Sequence, residues 1–194
     1  MTSALEIANQ ALLSVGADAI DDFGDGSTEA KLMAARYEQV KADLLAMYPW
    51  NCATRREDLT EDSDTPISGY SHQFLVPDDM LRLLKVWTGD ILPTRDMDGE
   101  RPYSLEGNKL LIDAEAVSIV YIKKIPEDEL STHVQTALIA RLAFEVSFGL
   151  NASTTSQGMF GQIYEAKLQE ARTIDNMGKP PTVLGFNRLN RVRW

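Results

Sequence analysis

The segment from Thr132 to Phe148 is apolar on nearly every side when it is drawn as a helix, and this feature constrains the fold most. Its polar stripe consists of Arg141 and Glu145, which lie one turn apart. Leaving such a surface in water costs roughly 25 cal/mol per Å² of apolar area. Other helices or another subunit must therefore surround it. Thr132 with Gln135 predicts a capping box at its start.

Three further helices are predicted from apolar residues that recur at steps of three and four. Ser3 and Glu6 have the spacing of a capping box before the first of them. The predicted boundaries are about 4–15, from Ser27 to Pro49, and from Phe160 to near Gly178 after a polar loop at 149–157. Each of these helices has one apolar face that needs a partner.

Between Pro49 and Pro126, short segments rich in Val, Ile, Leu and aromatic residues alternate with Gly, Pro and Asp. Strands are the better interpretation, and segments this short pair in hairpins. The predicted strands are 70–76, 81–87, 103–106, 109–113 and 117–123.

These elements predict a mainly α fold, namely a four-helix bundle with a small, mostly antiparallel β-rich insertion between the second and third helices. An extended C-terminal arm follows the bundle. The predicted boundaries are 1–48 and 127–178 for the bundle, 49–126 for the insertion and 179–194 for the arm.

The arm differs in charge from the rest of the chain, because it has no acidic residue whereas the whole protein carries a net charge of −10. Its basic and aromatic residues are Lys179, Phe186, Arg188, Arg191, Arg193 and Trp194. Arginine and aromatic side chains dominate the energetics of interfaces, so we predict an arm that becomes ordered on a partner. The alternative is an arm that folds back on its own acidic body. The net charge of −10 argues against a protein that binds nucleic acid or an anionic membrane over its whole surface.

The sequence predicts no metal ion and no cofactor. Cys52 is the single cysteine and no Cys/His cluster is present. The acidic loop 21–27 partly follows an EF-hand, but Phe23 and Leu32 stand where oxygen ligands are required. Asp and Gly residues of this kind are also typical of tight turns, which is the interpretation we favour.

An enzyme is not predicted either, since His72 and His133 have no nucleophile motif beside them. Two carboxylate pairs keep a hydrolase open as an alternative: Asp78 with Asp79, and Asp96 with Asp98. Glu6 interrupts the apolar run that an export signal needs, and the longest uncharged stretch is about half the length that a bilayer requires. We therefore expect synthesis in the cytoplasm and no membrane partner.

The most distinctive local sequence is Tyr48-Pro49-Trp50-Asn51. Pro49 ends the second helix, Trp50 offers a large amphipathic ring, and Asn51 can bond the backbone groups that the helix end leaves free. We predict that Pro49, Trp50 and Asn51 form a structural corner between helices and strands.

The chain resembles the head-to-tail adaptor proteins of tailed bacteriophages, of the podovirus tail tubular protein A or gatekeeper type. Four segments carry the resemblance: ALEIANQALLSVG, EAKLMAARYEQVKADLLAMYPWNCATRR, GYSHQFLVPDDMLRLLKVW and VSIVYIKKIPEDELSTHVQTALIARLAFEVSFGLNAS. Cys52 stands where the family usually has Phe. The resemblance spans nearly the whole chain.

This resemblance implies a structural virion protein at the neck, in a ring of about twelve copies between the portal and the tail, through which genome DNA passes without specific binding. The β-rich insertion would face a tail protein such as the nozzle, and an acidic lumen would suit DNA transit. By position, the residues implied in portal contact are Phe186, Arg188, Arg191, Arg193 and Trp194. The alternatives are a hydrolase of cell-wall glycans and a DNA-binding accessory protein.

Overall fold

The structure is a computed structural model that describes residues 2–67, 69–88, 102–151 and 154–178, with the side chains of 148, 151 and 154–156 outside that description. Its helices are α1 (Ala4–Ser14), α2 (Thr28–Met47), α3 (Thr132–Asn151) and α4 (Thr154–Met177), with a short 3-10 turn at Glu127–Glu129. Its strands are β1 (Thr54–Asp58), β2 (His72–Leu75), β3 (Met80–Thr88), β4 (Tyr103–Glu106), β5 (Lys109–Ile112) and β6 (Val117–Lys123).

The first two helices begin at the caps that the sequence predicts. The Ser3 hydroxyl accepts a hydrogen bond from the Glu6 N–H, and the Glu6 carboxylate accepts one from the Ser3 N–H. This completes the capping box of α1. The Ser27 hydroxyl accepts from the Ala30 N–H and caps α2 in the same way. Both predicted starts are confirmed.

Helix α3 lies at the centre of the helical layer, in contact with α1, α2 and α4. Its buried residues include Val134, Ala137, Leu138, Leu142, Ala143 and Val146. Arg141 pairs with Glu145 at 2.8 Å, and its guanidinium lies over the ring of Tyr164 from α4. The prediction that other helices or another subunit surround this segment is confirmed, since three helices of the same chain cover it.

The strands form two antiparallel sheets of three strands, with the orders β1-β6-β3 and β2-β5-β4. Strands β4 and β5 form the predicted hairpin. Gly107 in their turn has a φ of +61°, which a residue with a side chain rarely adopts. The mixed chain order of both sheets means that neither is a simple succession of hairpins.

Strand β6 is buried on both of its faces, and this places the two sheets in successive layers. Ile122 belongs to the helical core. On the other face, Ile119 and Tyr121 pack in a second core with Phe74 and Leu110 from the second sheet. The protein is therefore layered as helices, first sheet and second sheet, with one hydrophobic core at each junction.

The predicted fold class, a mainly α four-helix bundle with a small β-rich insertion, is wrong. The fold is mixed α/β, with two antiparallel three-stranded sheets beside the four helices. The physical reason is that the first sheet takes part in the helical core through Ile122 of β6, beside Ala53 and Ile125 just outside the strands, while the second core contains strands and their connecting segments but no helix. The β-rich region thus forms two of the three layers.

The predicted loop at 149–157 is also wrong in its extent, since α3 continues to Asn151 and α4 begins at Thr154. Gly149 suggests a helix end in the sequence. In the structure it lies inside α3, where a Cβ atom would meet Leu32 Cδ1 of α2 at 3.3 Å. The glycine therefore serves the close approach of two helices.

The capping box predicted from Thr132 and Gln135 does not form. Thr132 is the first residue of α3, and the Gln135 side chain donates to the backbone carbonyls of Glu127 and Leu130. The amide thereby ties the 3-10 turn to α3. Within the described residues, no helix has the length and apolar character that a membrane span needs.

Candidate assembly surfaces

The predicted corner residues lie together at the end of α2. Trp50 is fully buried, and its indole N–H donates to the Leu44 carbonyl of α2 at 2.8 Å. Its backbone carbonyl accepts from the Thr54 N–H at 2.9 Å, which closes the turn into β1. The ring of Tyr48 packs against that of Trp50 at a centroid distance of 4.7 Å. The indole thus fixes the angle at which the chain passes from helix to sheet.

Asn51 connects this corner to the last turn of α4. Its backbone N–H donates to Asp175 Oδ1 at 3.0 Å, and its side-chain amide donates to the Asp175 carbonyl at 2.7 Å. The Tyr48 hydroxyl donates to Asn176 Oδ1 at 2.6 Å, and the Arg172 guanidinium lies over the Tyr48 ring. Tyr48 and Asn51 therefore hold the end of α4, immediately before residues 179–194.

Sequence reasoning missed Asp175 as a partner of the corner. A signal was present, because Asp175 follows Ala171 by four residues on the row of α4 that also contains Tyr164 and Leu168. An acid at a core position needs hydrogen-bond partners. Asp175 is only 3% exposed and its carboxylate accepts from Asn51.

His133 lies between Ser131 and Asp175, which invites comparison with a catalytic triad. Ser131 Oγ lies 3.1 Å from His133 Nε2, and Asp175 Oδ1 lies 3.5 Å from the same nitrogen. A relay needs the acid and the hydroxyl on opposite ring nitrogens, so this arrangement cannot pass a proton from one to the other. A groove of about 280 Å³ lies beside these residues. Lys167 and Glu170 line it, and their charges pair with each other at 3.0 Å.

Of the two carboxylate pairs that leave a hydrolase as an alternative, the structure describes Asp78 with Asp79. Asp79 Oδ2 pairs with Lys123 at 2.9 Å, whereas the Asp78 side chain is exposed. Asp96 and Asp98 lie outside the described residues. No group of three metal-binding side chains occurs in the described ranges.

In the acidic loop 21–27 the carboxylates form turns. Asp22 Oδ1 accepts from the Gly24 N–H, and Asp25 Oδ1 accepts from the N–H and hydroxyl of Ser27. The hydrogen bonds from Ser27 hold the pKa of Asp25 below its usual value. These Asx turns agree with the interpretation as a helix-to-helix connection.

A buried ion pair joins α2 to the 3-10 turn before α3. Lys41 Nζ lies 2.7 Å from Glu127 Oε1, with the two side chains 4% and 18% exposed. Burial alone would raise the pKa of Glu127, but the hydrogen bond from Lys41 holds it below its ordinary value. Burial and the charge of Glu127 raise the pKa of Tyr37. This pair positions the start of α3 against α2.

The residues predicted for portal contact lie outside the described part of the chain. They are Phe186, Arg188, Arg191, Arg193 and Trp194. Their assignment stays a prediction, and the structure contributes the anchored helix end that precedes them.

The outer face of α4, defined here by Met159, Ile163, Ala166, Glu170, Ile174 and Met177, is exposed, and it is apolar except for Glu170. Met159 is 54% and Met177 is 77% exposed, while Ile163 and Ile174 are each 43% exposed. Four large apolar side chains are therefore exposed along one face of α4.

No protein-family model matches this chain, and no curated protein sequence matches it either.

Proposed function

We propose that this chain is a structural virion protein, a head-to-tail adaptor that forms a ring between the portal and the tail of a bacteriophage. The anchored end of α4 is the observation that supports this function best. Tyr48 and Asn51 bind Asn176 and Asp175, so the basic arm 179–194 leaves from a fixed point of the fold. A fixed departure point lowers the entropy that an arm loses when it binds a partner.

The charge distribution fits a conduit for DNA. Residues 1–178 contain all 29 acidic residues of the chain and 15 of its 19 basic ones. An acidic lumen releases no counterions from phosphates, so genome DNA passes it without binding. In this proposal the arginines of the arm are withdrawn into contacts with the portal, and ring closure uses two different faces of each subunit.

The experiment compares docking of two variants to portal rings of the same phage. Replacing Arg188, Arg191 and Arg193 together by Ser should abolish docking and leave the circular dichroism spectrum unchanged. The control replaces three exposed basic residues of the body, Lys31, Arg36 and Lys85, by Ser and should dock like the wild type. Equal docking of both variants would overturn the role of the arm.

A binding isotherm separates this function from the DNA-binding alternative. If the four basic residues of the arm met phosphates, log K for duplex DNA would fall against log salt with a slope of about −3.6. The adaptor predicts no measurable duplex binding at physiological salt. A slope of that size, without portal docking, would favour the DNA-binding protein.

A further inference from the structure

Helix α4 has two separate apolar faces. Phe160, Tyr164, Leu168 and Ala171 are buried against the rest of the fold. The six residues of the outer face of α4 lie within about 80° of one another on a helix of 3.6 residues per turn. This second face points away from the core.

The exposed surface of α2 shows what an ordinary solvent-facing helix in this protein looks like. It presents Lys31, Arg36, Glu38 and Asp43. One flank of the outer face of α4 instead carries the uncharged residues Gln162, Gln169 and Thr173. Its charged residues are Glu170, in the middle of the face, and Lys167 beside it, so apolar groups surround one ion pair on this surface.

The apolar residues of the outer face of α4 are spaced almost symmetrically about residue 168. Met159 and Met177 lie nine residues from that point, and Ile163 and Ile174 lie five and six residues from it. The charges are complementary in the same register, because Lys167 lies one residue before the point and Glu170 two residues after it. In an antiparallel pair of these helices, large apolar residues would therefore lie opposite large apolar residues. Near the middle of the pair, each Lys167 would lie opposite a Glu170.

We propose that two copies of this chain pair through the outer face of α4, with the two helices antiparallel. Met159 lies opposite Met177 of the second copy, and Ile163 opposite its Ile174. Each Lys167 then faces a Glu170 across the two-fold axis in addition to its partner at 3.0 Å in the same helix. The contact is isologous, whereas ring closure is heterologous, so the pairing goes beyond the adaptor ring and either can fail without the other.

The size of the contact sets its strength. From Met159 to Met177 the helix is about 27 Å long, which gives a contact smaller than the roughly 800 Å² per partner of a stable interface. We expect dimers that form at tens of micromolar protein and dissociate on dilution. Sedimentation velocity over a concentration series measures this.

Cysteine cross-linking tests the antiparallel register. In a Cys52→Ser background, an Ile163→Cys protein mixed with an Ile174→Cys protein should form a disulfide-linked heterodimer on mild oxidation. Either protein alone should not, because its two cysteines would be about 16 Å apart, beyond the reach of a disulfide. Cross-linking of a single variant with itself, or none in the mixture, would overturn the proposal.

A charge exchange tests the contact at the middle. Lys167→Glu should weaken dimerisation at least fivefold, and the double variant Lys167→Glu/Glu170→Lys should restore it. Leu13→Ser is the matched control, since Leu13 is a 62% exposed apolar residue of α1 and should change nothing. A wild-type protein that stays monomeric at millimolar concentration would overturn the pairing, whatever the result of portal docking.

Discussion

The side-chain amide of Asn51 donates a hydrogen bond to the backbone carbonyl of Asp175 at 2.7 Å, across 124 positions of the chain. This bond joins the turn after α2 to the last turn of α4. It adds a tertiary hydrogen bond to a carbonyl in the last turn of the helix, which also accepts from the Gly178 N–H at 3.3 Å. The corner and the departure point of the arm are therefore one structural unit.

Replacing Asn51 by Ala should loosen the end of α4. The change removes the side-chain donor to the Asp175 carbonyl, and we expect a loss of about 1–2 kcal/mol of unfolding free energy. Amide hydrogen exchange should quicken most in the last turn of α4. Gln169→Ala, an exposed amide on the same helix, is the control and should leave that exchange unchanged. Unaltered exchange in the Asn51 variant would contradict the anchoring.

Replacing Trp50 by Phe should cost about 1.5–3 kcal/mol of unfolding free energy. The fully buried indole loses its bond to the Leu44 carbonyl, and a smaller ring leaves a cavity. Urea denaturation measures the change. Trp87→Phe provides a comparison at a partly exposed position and should cost less than about 1 kcal/mol. Similar costs for the two variants would argue against a special role of the corner.

Glu127→Gln should destabilise the protein by about 3 kcal/mol at neutral pH, because Lys41 would stay buried without an opposite charge. The folded-state pKa of Glu127 lies below its ordinary value of 4.5, so the stabilisation is present above that pH and is lost as the pH falls through the folded-state pKa. The difference from wild type should therefore shrink in acid.

Glu38→Gln is the control for that pair, since Glu38 forms an exposed ion pair with Lys124 at 2.6 Å. It should cost less than about 1 kcal/mol at any pH. A difference between wild type and Glu127→Gln that did not change between pH 7 and pH 3 would refute the assigned charge pairing.

The decrease in unfolding free energy at alkaline pH should depend on the ionisation of Tyr121. Burial raises its pKa from 10.0 to about 12, with a further contribution from the hydrogen bond that its hydroxyl donates to Glu57. The unfolded chain then loses this proton at a lower pH than the folded chain, so stability declines as the pH rises from about 10 to about 12. Tyr121→Phe should make that decline shallower in thermal unfolding. An identical decline of stability with pH in the wild type and in the Tyr121→Phe variant would contradict this role of Tyr121.

The helices were predictable because each has an apolar period, and α1 and α2 also have local start signals. Ser3 with Glu6 and Ser27 alone set the first two starts through bonds within one turn. The apolar surface of α3 predicted its central place, since burial on all sides leaves few arrangements. The capping signals lie within one turn, and the central place of α3 depends only on the apolar surface of that one helix.

The layering of the sheets was not predictable, because it depends on contacts between distant strands. Strand β1 consists of polar residues, Thr54–Asp58, and gains its place by pairing with β6. Whether β6 faces one core or two cannot be read from its own apolar run. The corner at Pro49, Trp50 and Asn51 was recognisable from its local sequence. Its hydrogen bond to Asp175 was not, because the two residues are 124 positions apart and no short sequence pattern connects them.

The most direct test of the adaptor function is electron cryo-microscopy of the protein mixed with portal rings of the same phage. The full chain should add a ring of about twelve copies at one end of the portal. A chain truncated after Gly178 should remain folded and leave the portal bare. A bare portal with the full chain, or an equal ring with the truncated one, would contradict the account.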